Sequence, residues 1–289
     1  MRLGGVIPGS MVVFRLSPPA ALSLLLPGGL HVPVSPEVDA YSFDAGNDAE
    51  ATVILCHGFT GSPATLRPWG EFLHQAGFNV LGPRLPGHGT TWEELATTRW
   101  QDWYGELEHT LDRAKELGKP VFVFGHSMGG TLTLRLAQQR GHELSGIVLC
   151  NAAIYPSQKY SSVVPLARFF IKATKGIGSD IAMPGDKKET SYDQTPLHAV
   201  YSLQRLWKVT RKALSEVTVP TRVFYSAVDN VVHPRNSAII LAGISSQDKS
   251  RTLLSRSFHV APLDYDAEKL FKGSVEFMQR QLANMQGAA

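Results

Sequence analysis

The 289-residue sequence predicts an α/β protein with a mostly parallel sheet covered by helices on both faces. Three observations carry this expectation. Short β-branched runs alternate with stretches whose apolar residues recur every three or four positions, the pattern of strands joined by crossover helices. The strand candidates show little apolar-polar alternation, as when both faces of a sheet are buried. Hydrophobic residues make up 43% of the chain against 18% charged, enough for a large core and unlike a disordered chain.

In chain order, residues 1–40 form an apolar arm before the first strand signal. Met1 and Arg2 precede an apolar stretch that ends at 20–26 and that Arg15, Pro18 and Pro19 interrupt. The run is shorter than the ~20 residues of a membrane span and no convincing small-x-small cleavage site follows it, so a cytoplasmic protein with at most transient lipid-surface contact is expected, with secretion the less favoured alternative. Thr52–Cys56 is a continuous apolar run that ends at a His-Gly pair, and a helix follows at 68–76. A strand at 79–81 precedes the turn residues Gly82 and Pro83, and 100–117 repeats Trp103, Leu107, Leu111 and Ala114 at helical spacing. The strand at 121–124 runs into Gly125 and is followed by a helix at 131–139. Further strands are expected at Gly146–Cys150, Thr221–Ser226 and 251–254, with helices at 234–242 and 267–282.

One stretch breaks the rhythm. From 154 to about 201 there is no strand pattern, and Pro156, Pro165, Pro184 and Pro196 divide it into short pieces. Its apolar residues, among them Val163, Leu166, Phe169, Phe170 and Ile171, exceed the needs of a surface loop. A cap inserted between two halves of a core, 41–153 and 202–289, is the expected arrangement.

The 28 Lys and Arg against 25 Asp and Glu give a net charge of +3, without the basic concentration that nucleic acid requires. Arg205, Lys208, Arg211 and Lys212 fall at helical spacing and read as a solvated helix face. The two cysteines, Cys56 and Cys150, cannot make a multi-bridge scaffold and lack the neighbours of a zinc site.

The chemistry concentrates around Gly125-His126-Ser127-Met128-Gly129, a G-x-S-x-G run between a predicted strand and a predicted helix. The glycines suit a tight turn holding Ser127 in a strained backbone at the carboxyl end of the sheet, where open α/β folds bind ligands. A serine hydroxyl needs a base that is itself oriented by an acid. Asp229, past the end of the strand Thr221–Ser226, and His259, in the loop after the strand at 251–254, stand in the order Ser, acid, His. His233 reads instead as a residue at a helix start, and Asp264 and Asp266 as caps of the last helix. Asp193 lies in the insertion, away from the sheet edge. Donors for a developing oxyanion are expected at the N–H of Met128 and the N–H of Phe59, the latter in the His57-Gly58-Phe59-Thr60-Gly61 loop. No metal or cofactor is called for, since no H-E-x-x-H, P-loop or dinucleotide fingerprint is present.

These residues resemble the α/β-hydrolase superfamily, and more narrowly the bacterial monoacylglycerol lipases and small carboxylesterases. The likeness runs from about Val53 to Phe277 and rests on the His57 to Pro63 loop, Gly87-His88-Gly89, the Ser127 turn, Gln194-Thr195-Pro196, Asp229-Asn230-Val231-Val232 and Phe258-His259-Val260. It implies an α/β-hydrolase fold, Ser127, Asp229 and His259 as triad, and Phe59 and Met128 as oxyanion donors. It further implies a cap forming an apolar acyl tunnel with a small glycerol pocket, to which Ile177 and Glu189 contribute. The activity implied is hydrolysis of monoacylglycerols or, alternatively, of short soluble esters; a non-catalytic scaffold is the remote alternative. If the strands ending at Cys56 and Cys150 flank the Ser127 strand, their separation of ~9.5 Å keeps both thiols free.

Overall fold

The computed structural model describes residues 34–156, 159–176, 179–185 and 189–287. The apolar arm up to residue 33, and Ile177, lie outside the described residues. Seven strands form one sheet: β1 (Tyr41–Phe43), β2 (Thr52–Cys56), β3 (Asn79–Gly82), β4 (Val121–His126), β5 (Gly146–Cys150), β8 (Thr221–Ser226) and β9 (Lys249–Leu254), in the order β1-β3-β2-β4-β5-β8-β9. Only the edge strand β1 runs antiparallel to its neighbour within this sheet.

Successive residues of the central strands feed two separate cores, which explains their unbroken apolar runs. Ile54, Val123, Ile147, Leu149 and Val223 point to one face. There they meet Trp103, Leu107 and Leu111 of α3 (Trp100–Glu116), Leu132 and Leu136 of α4 (Met128–Arg140), and Leu203 and Leu206 of α6 (Leu197–Lys212). Val53, Leu55, Phe122, Phe124 and Phe224 point to the other face. They meet Trp69 and Leu73 of α1 (Arg67–Gln75) and Leu270, Phe271, Phe277 and Met278 of α8 (Ala267–Gly287). The short α2 (Trp92–Thr97) and α7 (Arg235–Gly243) add Leu95 and Ile240 to the first core. Cys56 and Cys150 are buried free thiols that belong to opposite cores, so the sheet itself separates them.

The inserted segment differs from its sequence reading in three ways. It contains strands, β6 (Ala173–Lys175) pairing antiparallel with β7 (Gln194–Pro196), each too short to display a periodicity. Helix α6 begins at Leu197, inside the stretch expected to end near Tyr201; Pro196 precedes the helix, with φ −72°, and does not divide the segment there. Finally, the apolar residues around α5 (Val164–Ala167) face outward: Phe170 is 81% and Leu166 68% exposed. Val164 and Ala167, three apart on α5, are half-buried, which leaves Leu166 on the outer side, and Arg168 stacks over the rings of Phe169 and Tyr201.

Candidate active site

Strand β4 ends at His126 and α4 starts at Met128, leaving Ser127 alone to make the turn. Its φ of 54° and ψ of −118° are strained for any residue with a Cβ. The conformation is held by Ser127 N–H donating to the carbonyl of Cys150 at 3.0 Å, and by Thr131 N–H donating to Ser127 at 3.3 Å. The flanking glycines are required by close approach: a Cβ on Gly125 would lie 2.4 Å from the Gly129 carbonyl oxygen, and one on Gly129 2.0 Å from that of Cys56. Helix α4 therefore starts earlier than the 131 expected from its apolar spacing, because glycines carry no periodicity signal.

Asp229 and His259 come from the loops after β8 and β9, neighbouring strands whose carboxyl ends share one edge of the sheet with that of β4. His259 Nε2 lies 3.0 Å from Ser127 Oγ, and His259 Nδ1 2.8 Å from Asp229 Oδ2. The Asp229 side chain is 1% exposed, and its Oδ1 accepts from the N–H groups of Val231 and Val232 at 2.9 and 2.6 Å. Burial works against the His259 imidazolium, but the hydrogen bond and charge of Asp229, with Glu189 and Asp180 beyond, outweigh it and hold the pKa above its ordinary value. A serine next to a neutral imidazole whose far nitrogen is held by a carboxylate can be deprotonated as it attacks a carbonyl.

The His57 to Gly61 loop packs against this group, since a Cβ on Gly58 would stand 3.3 Å from Ser127 Cβ. Thr60 turns the loop with φ 62°, its hydroxyl donating to the Phe59 carbonyl at 2.6 Å. Among the described residues neither the Phe59 nor the Met128 N–H has a protein acceptor, and Met128 opens α4, where the helix dipole favours negative charge. His57 is a fixed neutral ring: Nδ1 pairs with the Gly58 carbonyl at 2.9 Å, Nε2 accepts from Leu85 N–H at 3.2 Å, and burial lowers its pKa to about 4.

Glu189 reaches the same mouth from the inserted segment. A Cβ on Gly61 would meet its Oε1 at 3.0 Å, Thr65 Oγ1 donates to that oxygen at 3.4 Å, and burial raises the carboxyl pKa. His233 is exposed at the start of α7, where its Nδ1 accepts from Arg235 N–H at 3.1 Å. Asp264 and Asp266 do not cap α8 with their side chains, contrary to expectation. Asp264 accepts from Phe258 N–H at 2.9 Å and from Ala182 and Met183 N–H at 2.7 and 3.0 Å, while Asp266 accepts from Arg256 and Ser257. Both carboxylates are claimed by the loop that carries His259, whose backbone donors otherwise lack partners.

Three residues near the site escape sequence reasoning. Asp180 accepts from His259 N–H at 3.1 Å. His126 packs its ring 4.9 Å from that of His259 and places Nε2 2.9 Å from the His259 carbonyl oxygen, while burial lowers its own pKa to about 3. Asn151, at φ 47°, donates from Nδ2 to the His259 carbonyl at 2.8 Å and accepts from Ser226 N–H at 2.8 Å. An asparagine directly after a strand is a left-handed turn signal that the sequence does offer. Among the described residues no group of three or more His, Cys, Asp and Glu side chains could hold a metal, and no helix is long and apolar enough to cross a membrane.

The strained serine, the histidine at its hydroxyl and the parallel sheet that presents them define a serine hydrolase of the α/β-hydrolase fold. The family described as serine aminopeptidase, S33, matches residues 47–192, and the chain belongs to it. The matched part contains the Ser127 turn and the Phe59 loop; Asp229 and His259 lie downstream. The chain is similar to the thermostable monoacylglycerol lipase of Bacillus sp. (strain H-257), 39% identical over 231 residues that cover 79% of this chain and 90% of the relative. It is also similar to a carboxylesterase of Bacillus subtilis (strain 168), 27% identical over 244 residues, 83% of this chain and 96% of the relative. Among solved structures, one from the metagenome-derived lipolytic enzymes LipS and LipT superposes with a TM-score of 0.82 at 33% identity, covering 86% of this chain and all of the other. The monoacylglycerol lipase of Paleococcus ferrophilus shares the fold, with a TM-score of 0.67 at 20% identity over 84% of this chain and 98% of the other.

Proposed function

We propose that this protein hydrolyses carboxylic esters, monoacylglycerols foremost, through an acyl-enzyme on Ser127. The observation that carries the reading is the unbroken run Ser127 Oγ, His259, Asp229, at 3.0 and 2.8 Å. Ser127 Oγ attacks the ester carbonyl while His259 Nε2 takes its proton, and Asp229 keeps Nδ1 protonated and the ring in place. The Phe59 and Met128 N–H groups receive the oxyanion, each contributing ~10²- to 10³-fold in rate. His259 returns the proton to the leaving alcohol, and water repeats the cycle on the acyl group.

The glyceride preference is supported by the similarity to a monoacylglycerol lipase and by Glu189, a carboxylate at the mouth of the site able to accept from an alcohol's hydroxyls. Residues 154–201 act as a cap, with Ile177 as an expected pocket residue. The outward Leu166, Phe169 and Phe170 suit transient contact with a lipid surface, in a protein whose buried thiols fit a reducing cytoplasm. That same outward orientation favours a second reading, a carboxylesterase for short soluble esters, because those side chains are not lining an acyl tunnel.

Initial rates on matched mono-, di- and triacylglycerols of one chain length, with Ser127→Ala as blank, test the proposal. Preference for the monoacylglycerol upholds it. Faster turnover of short synthetic esters than of any glyceride selects the second reading, and unchanged activity in Ser127→Ala overturns the mechanism.

A further inference from the structure

The inserted segment touches the catalytic loops through its backbone and one carboxylate. Asp180 Oδ2 accepts from His259 N–H and from Asn230 N–H, both at 3.1 Å, and its Oδ1 accepts from Asn230 Nδ2 at 2.7 Å. The Asp180 carbonyl oxygen also accepts from Val260 N–H at 3.0 Å. One residue thus grips the neighbour of Asp229 and the backbone of His259 itself. The connection is reciprocated: Asp264, beyond His259, takes the N–H groups of Ala182 and Met183 while also holding Phe258 N–H. Two carboxylates, one from each side, lace 180–183 to 258–264.

We propose that Asp180 is a positioning residue for the reaction, a brace through which the inserted segment fixes the His259 loop and the Asp229 loop relative to each other. This rests on the assignment of Ser127, His259 and Asp229 given above. The acid and the base come from loops after different strands, and the hydrogen bond between their side chains spans only 2.8 Å. Misplacement by an ångström costs ~10²-fold in rate. Asp180 is suited to prevent it because a carboxylate accepts several N–H groups at once, and charge-assisted bonds hold geometry better than neutral ones. It reaches the backbone and not the imidazole ring, so it leaves Nδ1 to Asp229 and Nε2 to Ser127.

The brace also has an electrostatic signature that a purely mechanical part would lack. The charges that act on the His259 ring are those of Asp229, Glu189 and, from its place at the backbone, Asp180, all of which favour the protonated form; the His126 ring packed beside it does not. Removing the Asp180 charge therefore makes His259 easier to deprotonate, and the acidic limb of the rate profile moves to lower pH.

The experiment compares Asp180→Asn and Asp180→Ala with the wild type, measuring kcat, KM on a short soluble ester, the pH dependence of kcat/KM, and thermal melting. Asp180→Ala is expected to lose ~10²-fold in kcat with KM nearly unchanged, since Asp180 need not touch substrate. Asp180→Asn, isosteric and still an acceptor, is expected to recover part of kcat while its acidic limb lies below that of the wild type. Should Asp180→Ala fail to fold, Asp180→Asn alone carries the test. Wild-type kcat and an unmoved limb in Asp180→Asn, whatever its melting temperature, overturn the proposal. Failure of the underlying assignment looks different: Ser127→Ala would remain active, or a fluorophosphonate probe would not label Ser127 in the wild type.

Discussion

Replacing Asn151 separates backbone strain from hydrogen bonding beneath the site. Asn151 is 5% exposed, sits at φ 47°, accepts from Ser226 N–H at 2.8 Å and donates to Ser226 Oγ at 2.9 Å and to the His259 carbonyl at 2.8 Å. Asn151→Gly removes the amide but keeps the conformation, leaving Ser226 N–H buried without an acceptor at a cost of ~1–3 kcal/mol. The His259 carbonyl is spared, because His126 Nε2 remains 2.9 Å away. Asn151→Ala loses the same bonds and must also hold a Cβ in the left-handed region, at ~1–2 kcal/mol. At ordinary positions alanine is the more stable of the two by ~0.4–1 kcal/mol, so the expected order, wild type above glycine and glycine at or above alanine, inverts the rule. At ~2–4 °C per kcal/mol for a domain of this size, thermal melting resolves the differences. Turnover should fall in both variants as the His259 loop loosens, by up to ~10²-fold. An alanine variant clearly more stable than the glycine variant, or either variant equal to the wild type, refutes the reasoning.

Other outcomes follow from the site. Ser127→Ala is expected to lose turnover by ~10⁶-fold and fluorophosphonate labelling entirely, and Asp229→Asn to lose ~10⁴-fold, whereas His233→Gln, altered at an exposed helix start, should keep most activity in the same ester assay. In the proposed mechanism His259 must be neutral to accept the Ser127 proton; with its pKa raised, kcat/KM should fall as the pH is lowered, beginning above the ordinary 6.5 of histidine. Glu189→Gln, lacking one carboxylate that favours the imidazolium, should shift that fall to lower pH; a shift upward would contradict the charge assignment. Burial pushes both thiols well above their usual range, so Cys56 and Cys150 should resist a thiol reagent in native protein at neutral pH and both react in denaturant.

The parts legible in the sequence were those whose signal is local. Strands β2, β4 and β5 are largely apolar runs because each alternate side chain meets a different core, and Ser127 announces itself through glycines that steric contact demands. Asp229 and His259 followed from chain order, each displayed by a loop after a recognisable strand. Three-residue strands such as β1, β6 and β7 are shorter than any period that could reveal them. Asp180 was invisible for another reason: three of the four groups it holds are backbone N–H groups, which have no residue identity to read. Asp264 and Asp266 look like helix caps locally, and only the fold reveals the unpaired loop N–H groups that claim them instead.

The backbone at Ser127 sets turnover against endurance. A φ of 54° with ψ −118° is a conformation glycine adopts freely and serine does not. A population of this protein selected only for survival of heat would be drawn toward glycine at position 127, gaining stability as it lost the hydroxyl proposed to attack the ester. If the proposed mechanism keeps serine there, position 127 is a record of use: a descendant released from its substrate should relax this turn before it erodes the cores beneath it.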